Sequence, residues 1–329
     1  MCIRDRMRRI GRAYVDAFRG LPVDVWKLSI GLVINRAGTM VLPFLSLYLV
    51  ERLALPAKTA SFVLVAFGAG SVVGSYLGGE LSGRLGPVRV QRWSLMLSGA
   101  AFYAIGQMRD PVALAATVFV ASVVADAYRP ACMTAVVECS PPDLQPRTLG
   151  LMRLAANLGM AVGPAAGGFL AAIDYAWLFV GDAATCWAAG IWLFLSMRRI
   201  GPVTRDAVAK SAERRRALLR DGPFLGLLAI AFALATIFFQ VFYTLPLYLK
   251  QGIGLDERMV GAVFAFNALL IAATEMILIR RLEHRDPGRL LAVGIALVCL
   301  GLGATAFASG AVVVLLTVTV WTVGEMLSL

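Results

Sequence analysis

The chain has 329 residues, 59% of them apolar and only 16% charged, with a mean hydropathy of +0.78. A soluble globular protein carries about 25% charged residues, so a water-soluble fold is excluded. The net charge of +11 would point to nucleic acid only in a soluble protein; here it has to be sorted by side of a membrane first.

At the N-terminus, Met1–Arg6 (MCIRDR) resembles a translated adapter remnant, with Met7 as the native start. No apolar stretch with a small-residue cleavage site follows, so it does not read as a signal peptide. Residues 1–27 then form a basic segment. Beyond it, uncharged runs dominate: 21 residues from Thr59 to Gly79, 20 from Leu154 to Ile173 and 28 from Gly222 to Leu249. About 20 apolar residues cross a hydrocarbon core. The longest run, Leu290 to Gly324, covers 35 residues and as one helix would be about 52 Å long against a core of about 30 Å. It must turn, and Ser309-Gly310 is the place.

Ten spans are predicted, at 28–50, 59–81, 90–108, 111–137, 149–173, 175–197, 223–249, 259–279, 288–307 and 311–329. Alternating them across the membrane puts 24 of the 31 Lys and Arg on the side of the N-terminus, charges near span ends such as Arg153 counted with their loops, and five on the other, with Arg36 and Arg129 left over deeper inside spans. The positive-inside rule then makes the N-terminus cytoplasmic. The basic balance is topology, and no nucleic-acid partner is expected.

The longest loop, Arg198 to Asp221, divides the chain. Leu45-Ser-Leu-Tyr-Leu49 recurs 200 residues later as Leu245-Pro-Leu-Tyr-Leu249, at the end of the first span of each half. This points to an internal duplication: a six-helix bundle over 28–197, a linker over 198–222, and an incomplete second bundle of about four helices over 223–329. Parallel repeats place the substrate site between halves near the midplane.

Charged side chains inside spans are costly, about 2.5–3.5 kcal/mol for a central arginine, so each should face the interior with a partner. Asp126 and Arg129 stand at i and i+3, on one helix face. Arg36 adjoins Asn35 in the first span. Glu275 reads as a lone buried carboxylate in the eighth, fit to carry a proton; Asp182 reads as a capping or packing group. Tyr48, Tyr128, Gln240, Tyr243 and Asn267 are candidates for lining a cavity. Cys2, Cys132, Cys139, Cys186 and Cys299 have no metal-ligand spacing. The single His284 sits in a charged loop, so no metal site or cofactor is expected. Catalytic constellations are absent from the sequence, which argues against an enzyme.

Two motifs carry a family resemblance. Gly159-Met-Ala-Val-Gly163-Pro164-Ala-Ala-Gly167-Gly168 repeats glycine every four residues, making a groove where another backbone can approach, and Pro164 should kink the helix. Gly79-Glu-Leu-Ser-Gly83-Arg84-Leu-Gly86-Pro87-Val-Arg89 is a basic turn after the second span. From about Trp26 onward the chain resembles the major facilitator superfamily: the first motif has the form of the antiporter motif of drug:proton exporters, the second that of the inside-loop signature. Gly79, Arg84 and Gly86 match the latter, while Gly83 takes the usual aspartate position and Glu80 stands nearby. Arg285-Asp-Pro-Gly288-Arg289 is a faint second copy. The basic residue of the family's fourth helix, linked to proton exchange, matches Arg129.

The resemblance implies an all-α polytopic fold of two six-helix bundles with about ten of twelve helices present, the chain being C-terminally truncated. It implies a monomeric, proton-coupled efflux antiporter of small amphiphilic compounds in the plasma or inner membrane, of the multidrug-resistance kind. Arg36, Asp126, Arg129 and Glu275 would serve transport and proton coupling. An importer on the same fold, and a membrane-embedded enzyme or sensor, are the alternatives.

The orientation is directly testable. Reporter fusions at Lys210 and Lys250 should read cytoplasmic and external respectively, and a swapped result would overturn it.

Overall fold

The computed structural model describes Phe18 and residues 20–197, 221–282 and 285–328. The basic N-terminal segment up to residue 17, the loop from Arg198 to Arg220 with Lys210, and His284 lie outside the described residues. All regular structure in the described residues is helical.

The chain runs through α1 (Val23–Ala37), α2 (Val41–Leu47), α3 (Ala57–Leu85), α4 (Pro87–Gln107), α5 (Pro111–Asp126), α6 (Tyr128–Cys139), α7 (Gln145–Ile173) and α8 (Ala176–Ser196). It continues through α9 (Gly222–Phe238), α10 (Gln240–Tyr243), α11 (Leu245–Leu247), α12 (Glu257–Leu282), α13 (Pro287–Thr305) and α14 (Ala311–Ser328). Consecutive pieces merge into longer rods, such as Val23–Arg52 and Pro111–Cys139. Among the described residues, nine of these are long and apolar enough to cross a membrane. The expected third span, α4, has 21 residues, about 31 Å, but is more polar. Its polar groups face protein: Gln91 donates to the Ala131 carbonyl, and Arg92 donates to those of Leu193 and Met197 at 3.1 and 2.6 Å. Arg92 thereby takes up the Met197 carbonyl just past the end of α8 and shares that of Leu193 with the Met197 N–H.

The turn expected at Ser309-Gly310 is there, between α13 and α14. The 200-residue repeat is also structural. Tyr48–Arg52 and Tyr248–Gly252 are both π-helical turns. Leu55 and Leu255 donate to the carbonyls of Leu49 and Leu249 at 3.0 and 2.9 Å. Ala54 (φ 50°) and Gly254 (φ 83°) take the same left-handed conformation.

Helices approach closely where glycines remove side chains, since lipid supplies no hydrophobic drive between them. A Cβ on Gly70, Gly74 or Gly78 of α3 would come within 2.4 Å of the Phe119, Val123 and Ala127 carbonyls along α5. In α7 the motif glycines divide between two neighbours. Gly159 and Gly163 rest on the backbone of α1 and the turn after it, and Gly167 rests against Met40 and Phe44. Gly168 faces the backbone of α12 at Glu257 to Gly261, and a Cβ on Gly261 would lie 2.4 Å from the Pro164 carbonyl. The predicted groove is therefore occupied, and α7 continues unbroken through Pro164.

Gly168→Val and Gly261→Val should each cost about 1–3 kcal/mol through overpacking, read as a lowered melting temperature in detergent. Gly79, with open space around its Cβ position, should tolerate alanine without loss.

Candidate functional site

Two interruptions within spans border a polar cavity. The first span breaks between Ala37 and Val41. Pro43 has no N–H to give the Thr39 carbonyl, and its ring crowds that carbonyl out of the helix. The Asp182 carboxylate, from α8, accepts the freed Val41 N–H at 3.0 Å, and Gly38 leaves room for the Thr185 side chain. Pro130 does the same to the carbonyl of Asp126, and the fourth span breaks at Ala127, between α5 and α6. Both breaks need interior surroundings, because irregular backbone cannot face lipid.

The cavity measures ≈ 100 Å³ and is lined by Asn35, Arg36, Thr39, Asp126, Tyr128, Arg129, Asp182 and Cys186, with Phe67 and Phe102 on its apolar side. Arg36 is partly buried, and Asp126 and Arg129 both act on it electrostatically and line the same cavity. The expected pairing is absent: among the described residues neither Arg36 nor Arg129 has an ion-pair partner within 4 Å, and Arg129 is exposed. Asp126 is also within electrostatic range of Tyr243, at the end of α10.

The remaining candidates scatter. Asn35 donates to Cys186 Sγ at 3.7 Å on the cavity wall. Tyr48 is packed in the core, edge-on to Phe179 at 4.8 Å, and does not line the cavity. Gln240 is exposed beside Thr244 on another groove. Asn267 of α12 donates to Thr322 Oγ1 at 2.8 Å and to Glu325 at 3.3 Å, away from the cavity lining. A larger apolar groove of ≈ 600 Å³ between α1 and α7, with Trp26, Ile30 and Leu158 on its walls, carries no charged side chain.

Glu275 is not a lone carboxylate. It lies on the seam between α7 and α12, in contact with Arg153 Nε at 2.5 Å and accepting from Asn157 Nδ2 at 3.4 Å. Arg153 falls inside the predicted span 149–173, one turn before Asn157 on the same face, and that placement was the available signal. At the opposite end of the same seam Tyr175 donates to Glu257 at 2.9 Å, and Lys250 pairs with Glu257 too. Gln251 donates to Glu51 at 2.6 Å, between residues 200 apart.

In the inside-loop motif Arg84 pairs with Glu80 at 2.7 Å, one helical turn back, both partly exposed. Gly86 has φ 89°, a conformation that favours glycine, and Pro87 starts α4. The second copy shows Asp286 capping α13 at Gly288, with Arg289 3.7 Å from Asp286.

The family model described as Major Facilitator Superfamily matches residues 28–328. The chain is 23% identical over 320 residues to YqjV, an uncharacterized MFS-type transporter of Bacillus subtilis (strain 168), covering 92% of this chain and 75% of that one. It is likewise 23% identical to YhjO of the same strain over 300 residues, or 91% and 74%. Among solved structures it is similar to a D-xylose-proton symporter, with a TM-score of 0.66 and 13% identity over 92% of this chain and 79% of that one. A bacterial homolog of the human lysosomal transporter Spinster gives 0.68 and 15%, over 92% and 73%. At these identities the structures share the fold alone.

Cutting the seam pair should be measurable. Arg153 is 38% exposed and Glu275 8%, so Arg153→Gln and Glu275→Gln should each cost about 1–3 kcal/mol, less than a fully buried pair. The double variant should cost less than the sum; additive melting shifts would mean that the two side chains do not interact.

Proposed function

The chain belongs to the major facilitator superfamily, a multi-pass membrane transporter and not an enzyme, and from that premise we propose that it exports small amphiphilic compounds in exchange for protons. The observation that carries export is the glycine-proline helix. Its antiporter-type motif sits with one row of glycines on the first span and Gly168 on the eighth, where a rocking motion of two bundles would have to pass.

Proton exchange needs groups that change charge inside the membrane. Asp126 lines the cavity, and Glu275 holds Arg153 across the α7–α12 seam. Protonating Glu275 discharges one side of that contact and weakens the seam, so proton binding biases the conformational equilibrium by its differential effect on two states. Arg36 and Arg129 hold the substrate side of the exchange. An arginine remains charged in proteins, so Arg129 acts by its field and its donors, not by releasing a proton. The bundles are residues 28–197 and 223–329, joined by the basic linker over 198–222. The protein works as a monomer in the cell membrane, with its N-terminus cytoplasmic.

Proteoliposome transport under an imposed pH gradient tests this reading. A proton gradient should drive accumulation of at least one amphiphile; Arg129→Ala should abolish it with insertion intact, and Asp126→Asn should weaken it. Glu275→Gln should shift its pH dependence, since an amide exchanges no proton. Wild-type coupled turnover by the Glu275→Gln protein would remove Glu275 as the carrier.

A further inference from the structure

The cavity between the first, fourth and sixth spans contains donors without acceptors. Arg36 and Arg129 line it from α1 and α6. Each guanidinium presents five N–H donors in a planar fork. Among the described residues, neither makes a hydrogen bond or an ion pair within 4 Å; Arg36 is partly buried and Arg129 exposed. A partly buried guanidinium with no counter-charge favours an anion beside it.

The carboxylates on the same walls do not supply the partner. Asp182 is committed to the Val41 N–H where the first span restarts, and Asp126 lines the cavity without coming within 4 Å of either guanidinium. Two guanidiniums facing one space match a planar oxyanion, which accepts two parallel N–H bonds from such a fork. Phe67 and Phe102 face the same space and suit an aryl or short alkyl body. At ≈ 100 Å³ the cavity takes a head group with a small ring or a few carbons.

We propose that the transported compound is an organic anion whose carboxylate binds between Arg36 and Arg129, with its apolar body against Phe67 and Phe102. This rests on the reading of this cavity as the transport site. It narrows the substrate class from amphiphiles in general to those with an acidic head group. The guanidiniums lose their counter-charge when the substrate leaves, so the empty cavity is the electrostatically unfavourable state.

Binding, not transport, is the test, so a failure of proton coupling and a failure of the anion site give different results. The purified chain in nanodiscs is titrated with benzoate, benzamide and benzamidinium, which share size and shape and differ in charge. Melting temperature and calorimetry are the readouts. Benzoate should bind saturably and raise the melting temperature, and the other two should not. Arg36→Gln and Arg129→Gln should each weaken benzoate at least tenfold, with Arg36→Lys retaining part of the affinity. If a glutamine variant does not fold, the three probes on the unaltered chain still decide. Benzamidinium binding as tightly as benzoate, absence of saturable benzoate binding, or undiminished binding by both folded glutamine variants would overturn the proposal.

Discussion

Every backbone N–H and C=O in a membrane interior must find a partner within the protein, because lipid offers none. That constraint organises the molecule. It makes the chain helical along its apolar runs, and it limits where a helix can be interrupted. The first, fourth and seventh spans all break, with Pro43, Pro130 and Pro246 in or just beyond the interruptions. Each proline withdraws a donor and displaces a carbonyl four residues back. The freed groups are met locally: the Asp182 carboxylate takes the Val41 N–H. The same constraint holds for side-chain hydroxyls: Thr117, Thr134, Thr274 and Thr322 each donate to a carbonyl four residues earlier in their own helix, so none is left without an acceptor. Pro164 shows that proline alone does not suffice, since α7 runs through it with close-packed backbone on two sides.

The second consequence concerns contact between helices. With no solvent-driven attraction available, they hold together by approach of backbone to backbone. The Gly70-Gly74-Gly78 row on α5, the α7 row on α1, the Gly168–Gly261 contact and the Gly294–Gly324 contact between α13 and α14 all work this way. At the α7–α12 seam the middle is nearly free of interlocking side chains, and polar pairs stand towards its two ends, Arg153–Glu275 at one and Tyr175–Glu257 at the other. A smooth middle with electrostatic ends allows one body to tilt on another. Tilting breaks one end at a time, whereas separation would cost both together.

Most of this architecture was legible in the sequence, and the reasons for the exceptions are physical. The spans at 59–81, 111–137 and 311–329 lie within a few residues of the helices Ala57–Leu85, Pro111–Cys139 and Ala311–Ser328, because hydropathy and turn chemistry act locally. The glycine motif announced a groove, and the structure fills it. The partners of charged groups were illegible because they are not local. Asp182 caps a helix 141 residues away, and Arg153, counted as a loop charge, belongs to Glu275. Asp126 and Arg129 share i, i+3 spacing, but spacing places two residues on a face without fixing where their side chains reach. The row at Gly70, Gly74 and Gly78 carried the same four-residue signal as the α7 motif and went unread beside the more familiar pattern.

A transporter must also convert binding into motion, and the cavity constrains how. A ligand shifts a conformational equilibrium only by its difference in affinity between the states. The residues lining the cavity all come from positions 35 to 186, so a molecule held by Arg36 and Arg129 alone would travel with one half and bias nothing. The asymmetry has to come from the other half, which meets the first along the α7–α12 seam, where Glu275 contacts Arg153. On the proposed reading, protonating Glu275 loosens that contact, so the proton acts on the seam between the halves while the anion acts on the cavity, and the two meet only through the conformational equilibrium.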